Sequence, residues 1–187
     1  GLEQAGFEEI GLIEIDKNAC DTLRLNRPNW NVIESDIVEF SKKDLLKEFN
    51  IKTGELDLLS GGYPCQSFSY AGKRLGIEDV RGTMFYYYAE FLKQLQPKMF
   101  LAENVKGLTT HDGGKTMQTM LNVFKELGYE VKWKVLDAWD YGVAEKRQRV
   151  VIIGIRNDLK NKIKFEYPKP HAYKPVLKDV LQDVPKS

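Results

Sequence analysis

The sequence predicts an α/β fold in which a mostly parallel sheet carries an antiparallel strand near its C-terminal edge. Three observations point there. Short apolar runs at 11–15, 30–34, 56–59 and 99–102 alternate with longer stretches of helical period. Asp16, Ser41 and Thr83 stand just ahead of helical stretches, where a side-chain oxygen can take up the first orphaned amides. Late in the chain Tyr129, Val131, Trp133 and Val135 alternate with Glu130, Lys132 and Lys134, the period of a half-exposed strand, and such strands belong to antiparallel pairs.

Residues 1–7 read as the last turns of a helix with Gly6 as its C-cap, so an upstream segment is expected. Gly11 to Ile15 is the first strand. Asp16 caps a helix over Lys17 to Asn26 that Pro28 terminates. Trp30 to Glu34 is the next strand, with Asp36 just beyond it, and Ser41 is expected to cap a helix containing Leu45, Leu46 and Phe49. A third strand runs from Leu56 into Gly61-Gly62. The connection after it, through Ala71 to Gly82, is roughly 20 residues against a usual ~4–6, which suits a functional loop. Thr83 then opens a helix whose inward face is Met84, Tyr88, Phe91, Leu92 and Leu95, closed by Pro97. Met99 to Ala102 delivers Glu103-Asn104-Val105 at a strand end. A helix over Lys115 to Leu127 turns Met117, Met120, Leu121, Phe124 and Leu127 inward before Gly128 caps it, and Val150 to Ile155 completes the hydrophobic series. Residues 1–158 therefore form one expected α/β domain. Pro168, Pro170, Pro175 and many lysines make 159–187 an expected linker or the beginning of another module.

At 187 residues and 42% hydrophobic content, the chain can bury a real core. No apolar run approaches the ~20 residues of a membrane span, and no secretory signal pattern opens the chain, so a soluble cytoplasmic protein with no membrane partner is expected. Cys20 and Cys65 stand far apart without metal-ligand spacing, which predicts neither a disulfide framework nor a metal site. Charge is uneven. Residues 142–187 hold 11 Lys+Arg against 5 Asp+Glu, and the remainder 17 against 22, so the C-terminal part offers phosphates a basic footprint. No two glycines are separated by a single residue, and Gly113-Gly114-Lys115-Thr116 lacks the first glycine of a P-loop because Thr109 stands there.

The stretch Leu56 to Tyr70 organises the rest. Its strand runs through two glycines into Pro64-Cys65-Gln66-Ser67-Phe68-Ser69, a poor helix or strand interior and a good rigid loop. A lone cysteine is commonly a small buried hydrophobe, but this loop holds a thiol at a strand's carboxyl end, where open α/β sheets bind ligands. A nucleophile there needs an acid, cations and a second substrate.

With Cys65, Glu103 and Lys146-Arg147-Gln148-Arg149 in hand, the sequence resembles the DNA cytosine-C5 methyltransferases. Pro64-Cys65-Gln66, Glu103-Asn104-Val105 and Arg147-x-Arg149 arrive in family order, supported by Arg81-Gly82-Thr83 and Asp140-Tyr141-Gly142-Val143. The resemblance covers about residues 1–158 and implies a Rossmann-like S-adenosylmethionine-dependent fold that here lacks the family's first strand and glycine-rich loop. It also implies a reaction. Cys65 adds to C6 of cytosine, Glu103 protonates N3, and Arg149 and Arg147 hold O2, the thiol or the phosphate of the extruded nucleotide. S-adenosylmethionine leaves as S-adenosylhomocysteine, and no metal takes part. The same resemblance places Glu14, Asp36, Ile37 and Pro64 at the cofactor, and Gln66, Ser67, Lys73, Arg74 and Arg81 on duplex DNA. A bacterial modification methylase of a restriction-modification system, associated with the nucleoid, is the implied whole.

The chain departs from that pattern in two further places. Ala144-Glu145 stands where many members carry Pro-Gln ahead of the arginines, and Ile15 where an aromatic often stacks on adenine. Two other readings stay open at this point: a noncatalytic piece that needs a complementary chain, and an RNA cytosine-C5 methyltransferase.

Overall fold

The computed structural model describes residues 1–64, 80 and 83–181. Its first unit is a parallel pair, β1 (Leu12–Glu14) beside β2 (Val32–Glu34), joined by α1 (Lys17–Asn26). The Asp16 carboxylate accepts the Ala19 N–H at 2.7 Å, so the helix begins where its cap dictates. Asp36 does the same for α2 (Ile37–Phe40). Asp44, not Ser41, caps α3 (Leu45–Glu48), accepting the Lys47 N–H at 3.2 Å. The Ser41 hydroxyl instead donates back to the Val38 carbonyl at 2.9 Å, a local bond that short hydroxyls readily make at a helix end.

The second unit is a four-stranded sheet ordered β3 (Leu58–Gly61), β4 (Met99–Val105), β6 (Gln148–Arg156), β5 (Tyr129–Asp137). β3 and β4 are parallel, and β6 runs antiparallel to both β4 and β5. The expected antiparallel pairing near the C-terminal edge is present, and the reversed strand is the one inserted before the edge. Tyr129, Val131 and Val135 of β5 face the core as the alternation requires, whereas Trp133 is 44% exposed.

α4 (Met84–Leu95) joins the two units. Phe85, Tyr88 and Leu92 pack with Phe100, Phe124 and Ile152, while Phe91 and Leu95 pack with Phe40 and Leu45, against which Ile13 and Ile33 also lie. α5 (Lys115–Glu126) closes the larger cluster through Met117, Met120, Val123 and Phe124. Met84, expected inward, is 38% exposed, and Phe85 occupies the core in its place, one residue around the helix.

Among the described residues no strand pairs with the outer edge of β1 or of β3. Leu12, Ile13, Leu58, Leu59 and Gly61 line one cavity of about 470 Å³ between them. Residues 163–175 run back over β5 and β6, where the Tyr167 hydroxyl bonds the carbonyls of Val151 at 2.9 Å and Lys132 at 3.0 Å. No helix among the described residues is long and apolar enough to cross a membrane.

Candidate active site

The end of β3 is built for close approach. A side chain at Gly61 would place its Cβ 2.7 Å from Cε2 of Tyr88, a ring that is 4% exposed and cannot swing away. Neither Gly61 nor Gly62 has a positive φ, so contact rather than backbone conformation demands glycine at 61. The Tyr88 hydroxyl lies within reach of the Leu59 carbonyl of β3 and the Leu101 carbonyl of β4, and burial holds this phenol well above its ordinary range, as a neutral donor. Tyr63 follows, stacked obliquely among Phe85 and Tyr88. Its carbonyl accepts Asn104 Nδ2 at 2.7 Å, and Asn104 Oδ1 accepts the Val105 N–H at 2.9 Å. The buried Asn104 thereby ties the segment entering Pro64 to the end of β4.

The β4–β6 register supplies the next group. Glu103 stands opposite Val151, and Val105 opposite Arg149, so strand alternation puts Glu103 and Arg149 diagonally on one face. Arg149 Nε meets Glu103 Oε1 at 2.8 Å, with side chains 27% and 41% exposed. The pair is reachable from solvent and lies beside Gly62, whose Cβ would come 3.4 Å from Glu103 Oε2. Next to it Lys106 Nζ donates to Gln148 Oε1 at 2.9 Å, and Arg147 stands exposed at the rim.

Of the residues singled out by sequence, Glu103 and Arg149 are in contact, Pro64 lies on the neighbouring strand's exit, and Arg147 is displaced to the edge. Cys65, Gln66, Ser67, Lys73, Arg74 and Arg81 lie outside the described residues. Asn104 was legible only as part of a motif. Its distinguishing signal is a polar side chain at an inward strand position, between Ala102 and the rim, where burial requires hydrogen-bond partners.

Ile37 and Pro64 line the cavity between the sheets, together with Ile13 and Met84. Glu14 and Asp36 adjoin wall residues without being part of the wall. Glu14 Oε1 accepts the N–H groups of Ile15 and Asp16 at 2.8 and 2.9 Å, and Asp36 Oδ1 accepts that of Val38 at 2.8 Å. Each carboxylate is thus oriented through one oxygen, leaving the other to accept from a ligand's hydroxyl or amine. Ile15 is 65% exposed. An apolar slot flanked by two oriented acceptors fits a nucleoside. Among the described residues no group of three metal-ligating side chains occurs.

The model of the C-5 cytosine-specific DNA methylase family matches residues 1–187. The chain is 60% identical over 189 residues to the Type II methyltransferase M.Sau96I of Staphylococcus aureus, covering all of this chain and 43% of that protein. It is 49% identical over 195 residues to the Type II methyltransferase M.PspPI of Psychrobacter sp. (strain TA137), covering 45% of it. A solved structure of a putative DNA modification methyltransferase encoded within a prophage of E. coli superposes with a TM-score of 0.76 at 27% identity, over 98% of this chain and 51% of that one. The chain spans about half the length of the relatives it matches.

Proposed function

From the premise that this chain belongs to the C-5 cytosine-specific DNA methylase family, we propose that it carries the catalytic part of a bacterial modification methylase acting on C5 of a cytosine extruded from duplex DNA. The observation that carries this reading is the solvent-reachable Glu103–Arg149 pair at the carboxyl end of β4, one strand from the segment that enters Cys65.

C5 of cytosine is a poor nucleophile in the intact ring. A thiolate at Cys65 adds to C6, the C5–C6 π electrons become available at C5, and the ring takes on enamine character. Negative charge moves toward N3 and O2 as sulfur adds. Glu103 as a carboxylic acid gives its proton to N3, and the Arg149 guanidinium donates to O2, offsetting that charge where it develops. Arg147, at the rim, takes the phosphate of the extruded nucleotide. S-adenosylmethionine, when bound, supplies an electrophilic methyl group and departs as S-adenosylhomocysteine. Loss of the C5 proton and expulsion of the Cys65 sulfur restore the aromatic ring.

A stacked base is out of reach of these groups, so the cytosine leaves the duplex at a cost of a few kcal/mol. Gln66, Ser67, Lys73, Arg74 and Arg81 are the residues we assign to holding the DNA around it. On the other side, Ile37 and Pro64 are assigned to the cofactor's adenosine, with Glu14 and Asp36 offering their second oxygens to its hydroxyls and amine. Among the described residues the outer edges of β1 and β3 carry no further strand, and both face one apolar slot. A strand from elsewhere in the full protein, or from a complementary chain, would complete the sheet there and bring a glycine-rich turn to the same cofactor. In this reading residues 1–158 are the catalytic unit, 159–187 lead toward target recognition, and the protein works in the cytoplasm on the nucleoid.

The test is tritium release from 5-tritiated cytosine in duplex DNA by the full-length parent and its Cys65→Ser variant. Release by the parent and its loss in the variant is expected, and unchanged turnover rejects the nucleophile. Transfer RNA run in parallel as the acceptor should be inert; a preference for it would overturn the DNA assignment. Calorimetric cofactor binding by residues 1–187 alone should be weak, and micromolar affinity would argue against a missing strand.

A further inference from the structure

Resting on that reading, we propose that Asp137 and Trp139 are positioning residues for the Arg147–Arg149 segment, and that residues 168–175 clamp them in place. The connection between β5 and β6 carries Ala144-Glu145 ahead of its arginines, without a proline to stiffen it. The structure supplies other restraints. Asp137 Oδ1 accepts the N–H of Trp139 at 3.2 Å and that of Arg147 at 3.1 Å, and the Arg147 carbonyl accepts the Ala138 N–H at 3.0 Å. Both backbone groups of Arg147 are therefore tied to the start of the turn at 137–138. The next two residues carry that placement to Arg149, which pairs with Glu103.

The turn itself is held from outside. Trp139 belongs to neither apolar core cluster. Its indole N–H donates to the Pro175 carbonyl at 2.8 Å, and the Nζ atoms of Lys146 and Lys174 each stand 4.8 Å from its ring centroid. Lys174 also pairs with Asp140 at 2.6 Å, the His171 N–H donates to the Asp140 carbonyl at 2.8 Å, and the Tyr141 hydroxyl donates to the Pro168 carbonyl at 3.2 Å. Three consecutive residues, 139–141, are thus gripped by one downstream segment. A large aromatic outside the core, committed to a lysine next to Arg147 and to that segment, has a positional role. The alignment of the arginine with Glu103 depends on chain far beyond the motif that contains it.

The experiment uses the full-length parent with Asp137→Ala, Asp137→Asn, Trp139→Ala and Trp139→Phe, each alone and combined with Arg149→Ala. Because misplacement of a reacting group is costly, the two alanine variants should lower kcat by about tenfold or more while cofactor KM stays within about twofold. Asp137→Asn keeps the accepting Oδ1 and should restore most of the loss. In the Arg149→Ala background the alanine changes should have little further effect on kcat, since the arginine assigned to the ring is gone and Arg147, which they also hold, is assigned to binding the phosphate. Hydrogen exchange at the Arg147 amide should quicken in Trp139→Ala and, to a lesser degree, in Trp139→Phe, which keeps the ring but loses the N–H; this readout also serves if an alanine variant does not fold. A full additional kcat loss in the Arg149→Ala background, or an Arg147 amide as protected in Trp139→Phe as in the parent, overturns the proposal. Parental turnover by Arg149→Ala itself would count against the methyl-transfer reading instead, leaving the exchange measurement to judge the clamp.

Discussion

Replacing Glu103 with glutamine should separate chemistry from stability. The carboxylate's ion-pair partner, Arg149 with its Nε at 2.8 Å, is 27% exposed and Glu103 itself 41%, so the pair is screened by solvent and contributes about 0–1 kcal/mol to folding. Glutamine has nearly the same shape, and its amide oxygen still accepts from Arg149. What it cannot do is deliver a proton to N3. A positioned general acid contributes about 10²–10⁴ in rate, equivalent to roughly 3–5 kcal/mol on the barrier. The expected result for the full-length protein is a kcat lower by that factor, a melting temperature within about 4 °C of the parent, and unchanged affinity for duplex DNA. Single-turnover tritium release, scanning calorimetry and a binding titration measure the three. Turnover within about threefold of the parent would refute the proton-donor role. A fall of many degrees in melting temperature would refute the solvent-screened view of the pair.

Arg147→Gln should weaken DNA binding evenly across sequences and reduce the slope of log K against log salt by about 0.9, the loss of one phosphate contact; an unchanged slope removes Arg147 from the phosphate. Gly154→Ala should lower the melting temperature of the whole protein, because the new Cβ falls 1.9 Å from Cε1 of Phe100, a ring confined by Phe124 at 4.4 Å and Tyr129 at 5.2 Å. Overpacking of this kind costs about 1–3 kcal/mol, and an unshifted melting curve would contradict it. Tyr167→Phe should cost about 1 kcal/mol near neutral pH through its lost bonds to the Val151 and Lys132 carbonyls. Burial pushes that phenol up from 10.0 to about 12, so its stabilising share is complete below pH 10 and lost as pH rises through 12. Denaturant titrations should show the gap between parent and variant narrowing across that window, and a constant gap would refute the assignment.

Local chemistry was legible wherever a short stretch of chain decides its own form. Asp16 caps and Lys17–Asn26 coils because both the side-chain oxygen and the apolar period act within one or two turns. The family was legible for a different reason, since the motifs around Cys65, Glu103 and Arg149 arrive in an order that resembles it, and the family model matches residues 1–187. At Asp44 and Ser41 two short polar residues competed for one cap, and at Met84 and Phe85 two large apolar ones competed for one core site. Those choices turned on neighbours remote in sequence.

By itself the sequence determined most helices, the strand periods and the family the chain belongs to, because these follow from capping, periodicity and short motifs in a fixed order. Only the tertiary structure decided that Glu103 and Arg149 meet diagonally across a β4–β6 register, that Gly61 must be bare against Tyr88, and that Pro175 reaches back to Trp139. Such contacts depend on strand order and on which surfaces bury one another, and no local pattern encodes how segments dozens of residues apart share a single sheet and core.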